Sequence, residues 1–209
     1  MSDDRYPELR VVAGVVSRET LADLEAFESE FLRWAGRINL AASSTLPQLW
    51  DRHILDSAQL LPLAPDASRW LDLGSGGGFP GAIIAILLAR RPGAQVYLIE
   101  SNRKKAAFLQ TVLAALKAPA RIFPRRIEDC YEDIPAPEII TARALAPLPR
   151  LFPLIEPWMR KGARALLHKG RDFQRELEES CNAWRFDLVE HRDKVGDGVI
   201  LEIRDLHRA

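Results

Sequence analysis

Little in this chain of 209 residues points to a membrane, an oxidising compartment or a metal site. No uninterrupted apolar stretch approaches the roughly 18 residues needed to cross a bilayer, and the opening MSDDRYPELR does not read as a signal peptide. Only two cysteines occur, Cys130 and Cys181, far apart and without ligand spacing. They are expected to be reduced small hydrophobes in a cytoplasm, with no metal bound. Net charge is lacking as well: 29 basic and 29 acidic side chains leave a formal zero, so there is no global sign of a nucleic-acid partner.

The distribution of charge says more than the sum. Between Ile139 and Arg171 the basic residues Arg143, Arg150, Arg160, Lys161, Arg164, Lys169 and Arg171 face a single acid, Glu156. Acids gather instead between Glu19 and Glu30, Glu128 and Glu138, and Asp172 and Glu179. Such a basic segment can hold a phosphate backbone or simply form a solvated face. No heptad pattern suggests a stable dimer, so a monomer is expected.

What is present is a change of period along the chain. Leu21, Leu24, Phe27, Phe31 and Trp34 recur at helical spacing behind Ser17, a candidate N-cap, and Pro47 to Leu61 reads as a second helix. Pro62 and Pro65 close this helical extension, giving a boundary between residues 1–65 and 66–209. Beyond it, short β-rich runs (Arg69–Leu73, Gln95–Glu100, Ala120–Phe123, Glu138–Thr141, Arg164–His168) alternate with helical ones, as in βαβ units with a parallel sheet. The last two runs, Phe186–His191 and Val199–Asp205, flank a turn with Gly196, Asp197 and Gly198 and predict an antiparallel hairpin.

The stretch WLDLGSGGGFPGAIIAILL, residues 70–88, interrupts apolar runs with Gly74, Gly76, Gly77, Gly78 and Gly81. Glycine costs backbone entropy, so this density implies a sharp turn lying against something bulky. Two registers compete. Gly76, Gly78 and Gly81 satisfy G-x-G-x-x-G, the dinucleotide fingerprint, with Glu100 as its ribose-binding acid. Asp72, Gly74, Gly76 and Gly78 satisfy D-x-G-x-G-x-G, which resembles the first motif of class I methyltransferases. The strand ending at Leu73, the terminal hairpin, and the acidic turn at Glu128 and Asp129 after the third strand favour the second. A tight strand-to-helix turn without a ligand is the remaining alternative.

Four segments, in this order and spacing, resemble the RsmG (GidB) family: RWAGRINLAASSTLPQLWDRHILDSAQLLPL, LDLGSGGGFPG, RIEDC and TARALAPL. The likeness runs from Trp34 to the C-terminus, and the HILDS motif (His53 to Ser57) with the Phe79-Pro80-Gly81 ending of the turn makes it specific. Members methylate N7 of one guanine (guanosine 527 in standard 16S numbering) in the decoding region of bacterial small-subunit rRNA. The resemblance implies an α/β fold, a Rossmann-like class I S-adenosylmethionine-dependent methyltransferase. Its seven-stranded sheet would end in an antiparallel hairpin behind the N-terminal helices.

The resemblance further implies S-adenosylmethionine as cofactor. Gly74 and Phe79 would contact it in the first turn, Ile127 and Glu128 would lie at the adenine, and Arg143 would stand at the end of the fourth strand. Gly76, Gly78 and Glu100 are added from the general fold. The partner would be 16S rRNA or a small-subunit precursor, with no membrane or metal. Two departures from the family pattern are Ala41 where a threonine is usual after Asn39-Leu40, and Glu100 where aspartate is common.

The segment TARALAPL lacks the N-P-P-Y-like motif of exocyclic-amine methylation, and neither cysteine follows a proline as the nucleophile of cytosine C5 methylation commonly does. Guanine N7 needs neither device, because it has an in-plane lone pair and loses no proton. Arg143 is therefore the candidate nearest the chemistry. His53 and Asp56, three apart on a predicted helix, would share a face and could hydrogen bond. They either wall the pocket or lock the helical extension onto the sheet, and Asn39 reads the same way. Trp34 and Trp50 read as core. Arg125, Arg126 and the 143–171 segment would contact RNA phosphates. The alternatives are a methyltransferase for another RNA or a small molecule, or a cofactor-binding ribosome-assembly factor.

Overall fold

The computed structural model describes residues 5–209. Two helices begin it, α1 (Arg5–Ala13) and α2 (Arg18–Ala35). Ser17 caps α2 by accepting the Thr20 backbone N–H at 3.2 Å, and the stripe Leu21, Leu24, Phe27 and Phe31 is buried. The stretch expected as one helix over Pro47–Leu61 is instead broken. It comprises a 3-10 segment (Ser43–Gln48), a wide π-helical segment (Trp50–Leu55), the single turn α3 (Asp56–Ala58) and a 3-10 turn at Leu61–Leu63. Pro47 removes a backbone donor from the ladder, and the wider turn spoils the three-residue stripe that an α-helix would have kept.

The alternating half folds as its period predicts. Strand β1 (Arg69–Leu73) leads to α4 (Gly81–Leu87), β2 (Gln95–Ile99) to α5 (Arg103–Ala115), and β3 (Ala120–Phe123) to a 3-10 turn at Ile127–Cys130. Then come β4 (Ile139–Arg143), α6 (Leu148–Met159), β5 (Arg164–Lys169), α7 (Phe173–Cys181) and the hairpin β6 (Trp184–Arg192) with β7 (Val199–Arg208). The sheet order is β3-β2-β1-β4-β5-β7-β6, parallel up to β5 and antiparallel where β7 inserts beside it. That antiparallel insertion excludes the plain parallel dinucleotide sheet.

Side chains alternate between two cores. Trp70, Val96 and Leu98 face α1, α2, α4 and α5, whereas Leu71, Leu73, Tyr97 and Ile99 face α6 and the 3-10 turn after β3. Burying both faces is what makes these strands read as continuous apolar runs. The N-terminal helices share the first of these cores with α4 and α5. Trp50 is buried and Trp34 packs on Phe108 with ring centroids 5.6 Å apart, so both belong to the core. Cys130 is buried as expected, but Cys181 is exposed at the end of α7 and is no buried hydrophobe. The two thiols are free.

Candidate active site

The glycine turn leaves the carboxyl end of β1, where α/β sheets bind ligands. Gly74, Gly76 and Gly78 adopt φ of +65°, +56° and +102°, which side-chain-bearing residues rarely tolerate. The bulk they lie against is partly the protein itself. A Cβ at position 77 would stand 2.7 Å from Phe31 Cε2 and 2.9 Å from the Leu40 carbonyl oxygen. At position 81 it would lie 2.5 Å from Asp72 Cβ, so this glycine permits close helix–strand packing. Over Gly76, by contrast, a Cβ would meet only the Gly74 carbonyl at 3.7 Å, and the space there is open.

Glu100, at the carboxyl end of β2, closes this cradle. Its Oε2 accepts the Gly76 N–H at 2.7 Å and its Oε1 accepts the Asn102 N–H at 2.7 Å. Each oxygen keeps a lone pair for a hydroxyl of a ligand. Ile127 is buried and Glu128 exposed in the 3-10 turn that follows β3. Beneath the turn Asp72 is buried, with Oδ1 accepting from the Thr141 hydroxyl at 2.7 Å and Oδ2 left without a partner. Burial pushes its carboxyl up to about 6, against the Thr141 hydrogen bond. An open row of strained glycines, an acid with spare acceptors and an apolar wall fit a nucleoside cofactor.

Phe79 ends the turn in an aromatic cluster, 5.3 Å from Phe31 and 6.0 Å from Phe27 between ring centroids. On its other side lies His53, with centroids 4.9 Å apart and planes 31° from parallel. The hydrogen bond expected between His53 and Asp56 is not made. His53 Nε2 is buried without a partner, and burial, with the Arg143 and Arg52 charges, lowers its pKa to about 4, keeping it neutral. The π-helical turn sends Asp56 the other way. Asn39, the third polar residue singled out nearby, is exposed.

Asp56 ties its own turn to two strands. Its Oδ1 accepts from Gln59 Nε2 at 2.8 Å, and its Oδ2 lies 3.1 Å from Arg143 Nη1 at the end of β4. His168, opposite Arg143 on β5, places Nε2 3.0 Å from the Asp56 carbonyl oxygen. Arg143 Nη2 donates to the Arg52 carbonyl at 2.8 Å. Asp56 thus locks the helical extension onto the sheet, with Arg143 rather than His53 as its partner. Sequence reasoning missed Gln59 and His168, because no local spacing announces a contact between segments so far apart.

A cavity of about 790 Å³ lies not on the glycine turn but beside it, over the carboxyl ends of β4 and β5 and under the β6–β7 loop. Of the predicted site residues only Arg143 lines it; Asp56, His168, Lys169 and Asp193 share the wall. Leu145 also lines it, and its Cδ1 lies 2.6 Å from where a Cβ on residue 74 would stand, so this side chain sits between turn and cavity.

The expected basic face is largely neutralised. Arg143 pairs with Asp56, Arg160 with Glu156, Arg164 with Glu202, Lys169 with Glu176 and Arg171 with Asp197. Arg125 pairs with Asp133. Asp56, Glu202 and Asp197 reach their cations only through folding, which a one-dimensional charge count cannot see. Arg150 and Lys161 remain exposed without an ion pair among the described residues, as do Arg103 and Lys104 at the start of α5 and Arg126.

With this geometry in view, the comparisons with known proteins are decisive. Residues 20–196 match the family described as GidB, rRNA small subunit methyltransferase G. The chain belongs to this family. A relative named ribosomal RNA small subunit methyltransferase G, from Chelativorans sp. (strain BNC1), is 69% identical over 209 residues, the full length of both chains. One of the same name from Brucella canis is 54% identical and covers 99% of this chain and 98% of its own. Among solved structures, the cofactor-bound Rv0187 from MTB aligns with TM-score 0.57 at 16% identity, covering 93% of this chain and 92% of that one. Fibrillarin from Aeropyrum pernix, with natively bound S-adenosyl-L-methionine, aligns with TM-score 0.55 at 19% identity, covering 74% and 76%. These two structures speak to the fold, a class I methyltransferase sheet with its antiparallel end, which the GidB chain shares.

Proposed function

We propose that this rRNA methyltransferase uses S-adenosylmethionine to methylate N7 of a single guanine in the small-subunit rRNA, guanosine 527 in standard 16S numbering. When bound, the cofactor supplies an electrophilic methyl group on a sulfonium, whose departure as a neutral thioether drives the transfer. Gly74, Gly76 and Gly78 would hold the cofactor, Glu100 would accept from its ribose hydroxyls, and Phe79, Ile127 and Glu128 would make the remaining contacts. Arg143, on the wall of the neighbouring cavity, would touch the cofactor's methionine carboxylate or orient the guanine.

The observation that carries N7 as the acceptor is what surrounds Arg143. Neither cysteine lines the cavity, which removes the thiol that cytosine C5 chemistry requires. Asp56 is held by Gln59, and Glu176 receives Lys169 at 2.7 Å and the Leu148 N–H at 2.8 Å. Engagement of the carboxylates that face Arg143 and Lys169 suits an acceptor that sheds no proton, for which alignment of the lone pair is worth up to about 7–11 kcal/mol. Phosphate contacts would come from exposed Arg103, Lys104 and Arg126.

The test is borohydride–aniline cleavage, which cuts RNA at 7-methylguanine, on small-subunit RNA from a strain lacking the gene. One decoding-region cut present in the parent, lost on deletion and restored by the gene is the expected result. A cut that survives deletion would sink the assignment.

A further inference from the structure

The β6–β7 loop carries an acid that the cofactor cradle does not use. Asp193 Oδ1 accepts three hydrogen bonds, from Gln59 Nε2 at 2.9 Å and from the Val195 and Gly196 backbone N–H groups at 2.8 Å each. This fixes the carboxylate on the cavity wall while Oδ2 accepts nothing among the described residues. Two glycines keep that oxygen clear. A Cβ at position 196 would stand 3.1 Å from Oδ2, and one at 198 would stand 3.2 Å from it and 2.7 Å from the Lys169 carbonyl.

We propose that Asp193 Oδ2 accepts the exocyclic 2-amino group of the target guanine and so determines which base is methylated. The proposal rests on the guanine-N7 reading above. In a purine, N7 and the C2 substituent lie on opposite edges of the fused ring. A base that presents N7 toward the glycine turn of β1 therefore turns its 2-amino group to the far wall of the cavity. The sheet order puts β4, β5 and then β7 away from β1, and the loop leading into β7 forms that far wall.

The other carboxylates on the wall are spoken for. Asp56 serves Gln59 and Arg143, Glu176 serves Lys169 and the Leu148 N–H, and Asp197 is exposed and paired with Arg171 at 3.0 Å. Asp193 is also ionised at neutral pH. Burial raises its pKa, but the hydrogen bonds from Gln59, Gly196 and Val195 outweigh this and hold it below the ordinary carboxylate value. An ionised acceptor facing a single N–H donor discriminates strongly, because adenine offers no donor at C2 and would leave the charge unpaired.

The experiment compares small subunits reconstituted with RNA carrying guanosine or inosine, which lacks only the 2-amino group, at the target position. Tritiated methyl incorporation gives kcat/KM for the wild type, Asp193→Ala and Asp193→Asn, the last retaining an Oδ1 acceptor for the loop. Inosine is expected to cost the wild type about tenfold or more and the variants less than about twofold, since they have already lost the interaction. A loop that merely collapses lowers both substrates alike and leaves the inosine penalty intact. Should both variants be inactive, filter retention of the two subunits makes the same comparison on binding.

Wild-type rates equal on guanosine and inosine, or an inosine penalty undiminished in the variants, would overturn the assignment of Asp193 while 7-methylguanine is still formed. Absence of 7-methylguanine from the wild-type product would overturn the guanine-N7 reading and this proposal with it.

Discussion

Gln59 closes both ends of its amide on the Asp193 segment: Nε2 donates to Asp193 Oδ1 at 2.9 Å, and Oε1 accepts the Lys194 N–H at 2.9 Å. The same Nε2 donates to Asp56 Oδ1 at 2.8 Å. One buried amide therefore connects the HILDS turn, the β6–β7 loop and, through Asp56, Arg143 on β4.

Gln59→Glu sets a third carboxylate against Asp56 and Asp193 and removes the donor both share. The expected loss at pH 7 is about 3 kcal/mol or more. Because the new acid titrates at a raised pKa in the fold, protonation restores stability as pH falls through that value. Urea unfolding at pH 7 and pH 5 checks this; equal losses at both would show that charge is not the cause.

Arg143→Ala is expected to abolish methyl transfer while the chain still folds. The variant leaves Asp56 with Gln59 but without its cation, so a drop in stability of about 1–3 kcal/mol should accompany the loss. Tritiated methyl incorporation alongside a melting curve separates the two effects, and full activity would refute the role given to this residue.

Asp72→Asn tests the buried carboxyl under the glycine turn. Burial raises the folded-state value to about 6 from an ordinary 3.8, so the fold binds a proton that the unfolded chain releases. Asp72 thus costs stability as pH rises from about 4 to 6, in full above that range. Asparagine keeps an oxygen for the Thr141 hydroxyl and carries no charge. It should stabilise the protein at pH 7 by up to roughly 3 kcal/mol and make no difference at pH 3.5. Denaturation midpoints across pH 3.5–8 check the slope.

Charge reversal of Arg103 and Lys104 should weaken rRNA binding and flatten its salt dependence by nearly one unit of slope per lost phosphate contact. Reversal of Arg160, paired with Glu156 by i,i+4 spacing, should do far less. Filter binding from low to physiological salt measures both.

Much of the architecture was legible because period and punctuation are local. The switch from the Leu21–Trp34 stripe to short β-rich runs located the sheet, and the glycines between Gly196 and Gly198 located the hairpin. The nearness of Gly76 to Glu100 agrees with the glycine motif and the strand-end acid read from the family resemblance and the general fold. What could not be read was pairing across the chain. The Arg164–Glu202 ion pair that neutralises part of the basic segment, and the Asp56–Arg143 contact that replaced His53–Asp56, exist only once the sheet has closed. The π-helical turn at Trp50–Leu55 was equally invisible, since its residues carry ordinary helical spacing.

Phe31 fills the space that any side chain on residue 77 would need. The helical extension and the cofactor-side turn are therefore complementary surfaces cast from one mould. A side chain at 77 has room only if the ring at 31 shrinks and the Leu40 carbonyl moves as well, so the glycine is held by side chain and backbone together. Removing the extension would take Phe27 and Phe31 away and leave Phe79 and Phe108 facing water, so an engineer seeking a smaller enzyme would have to redesign the turn and α5 before removing the helices.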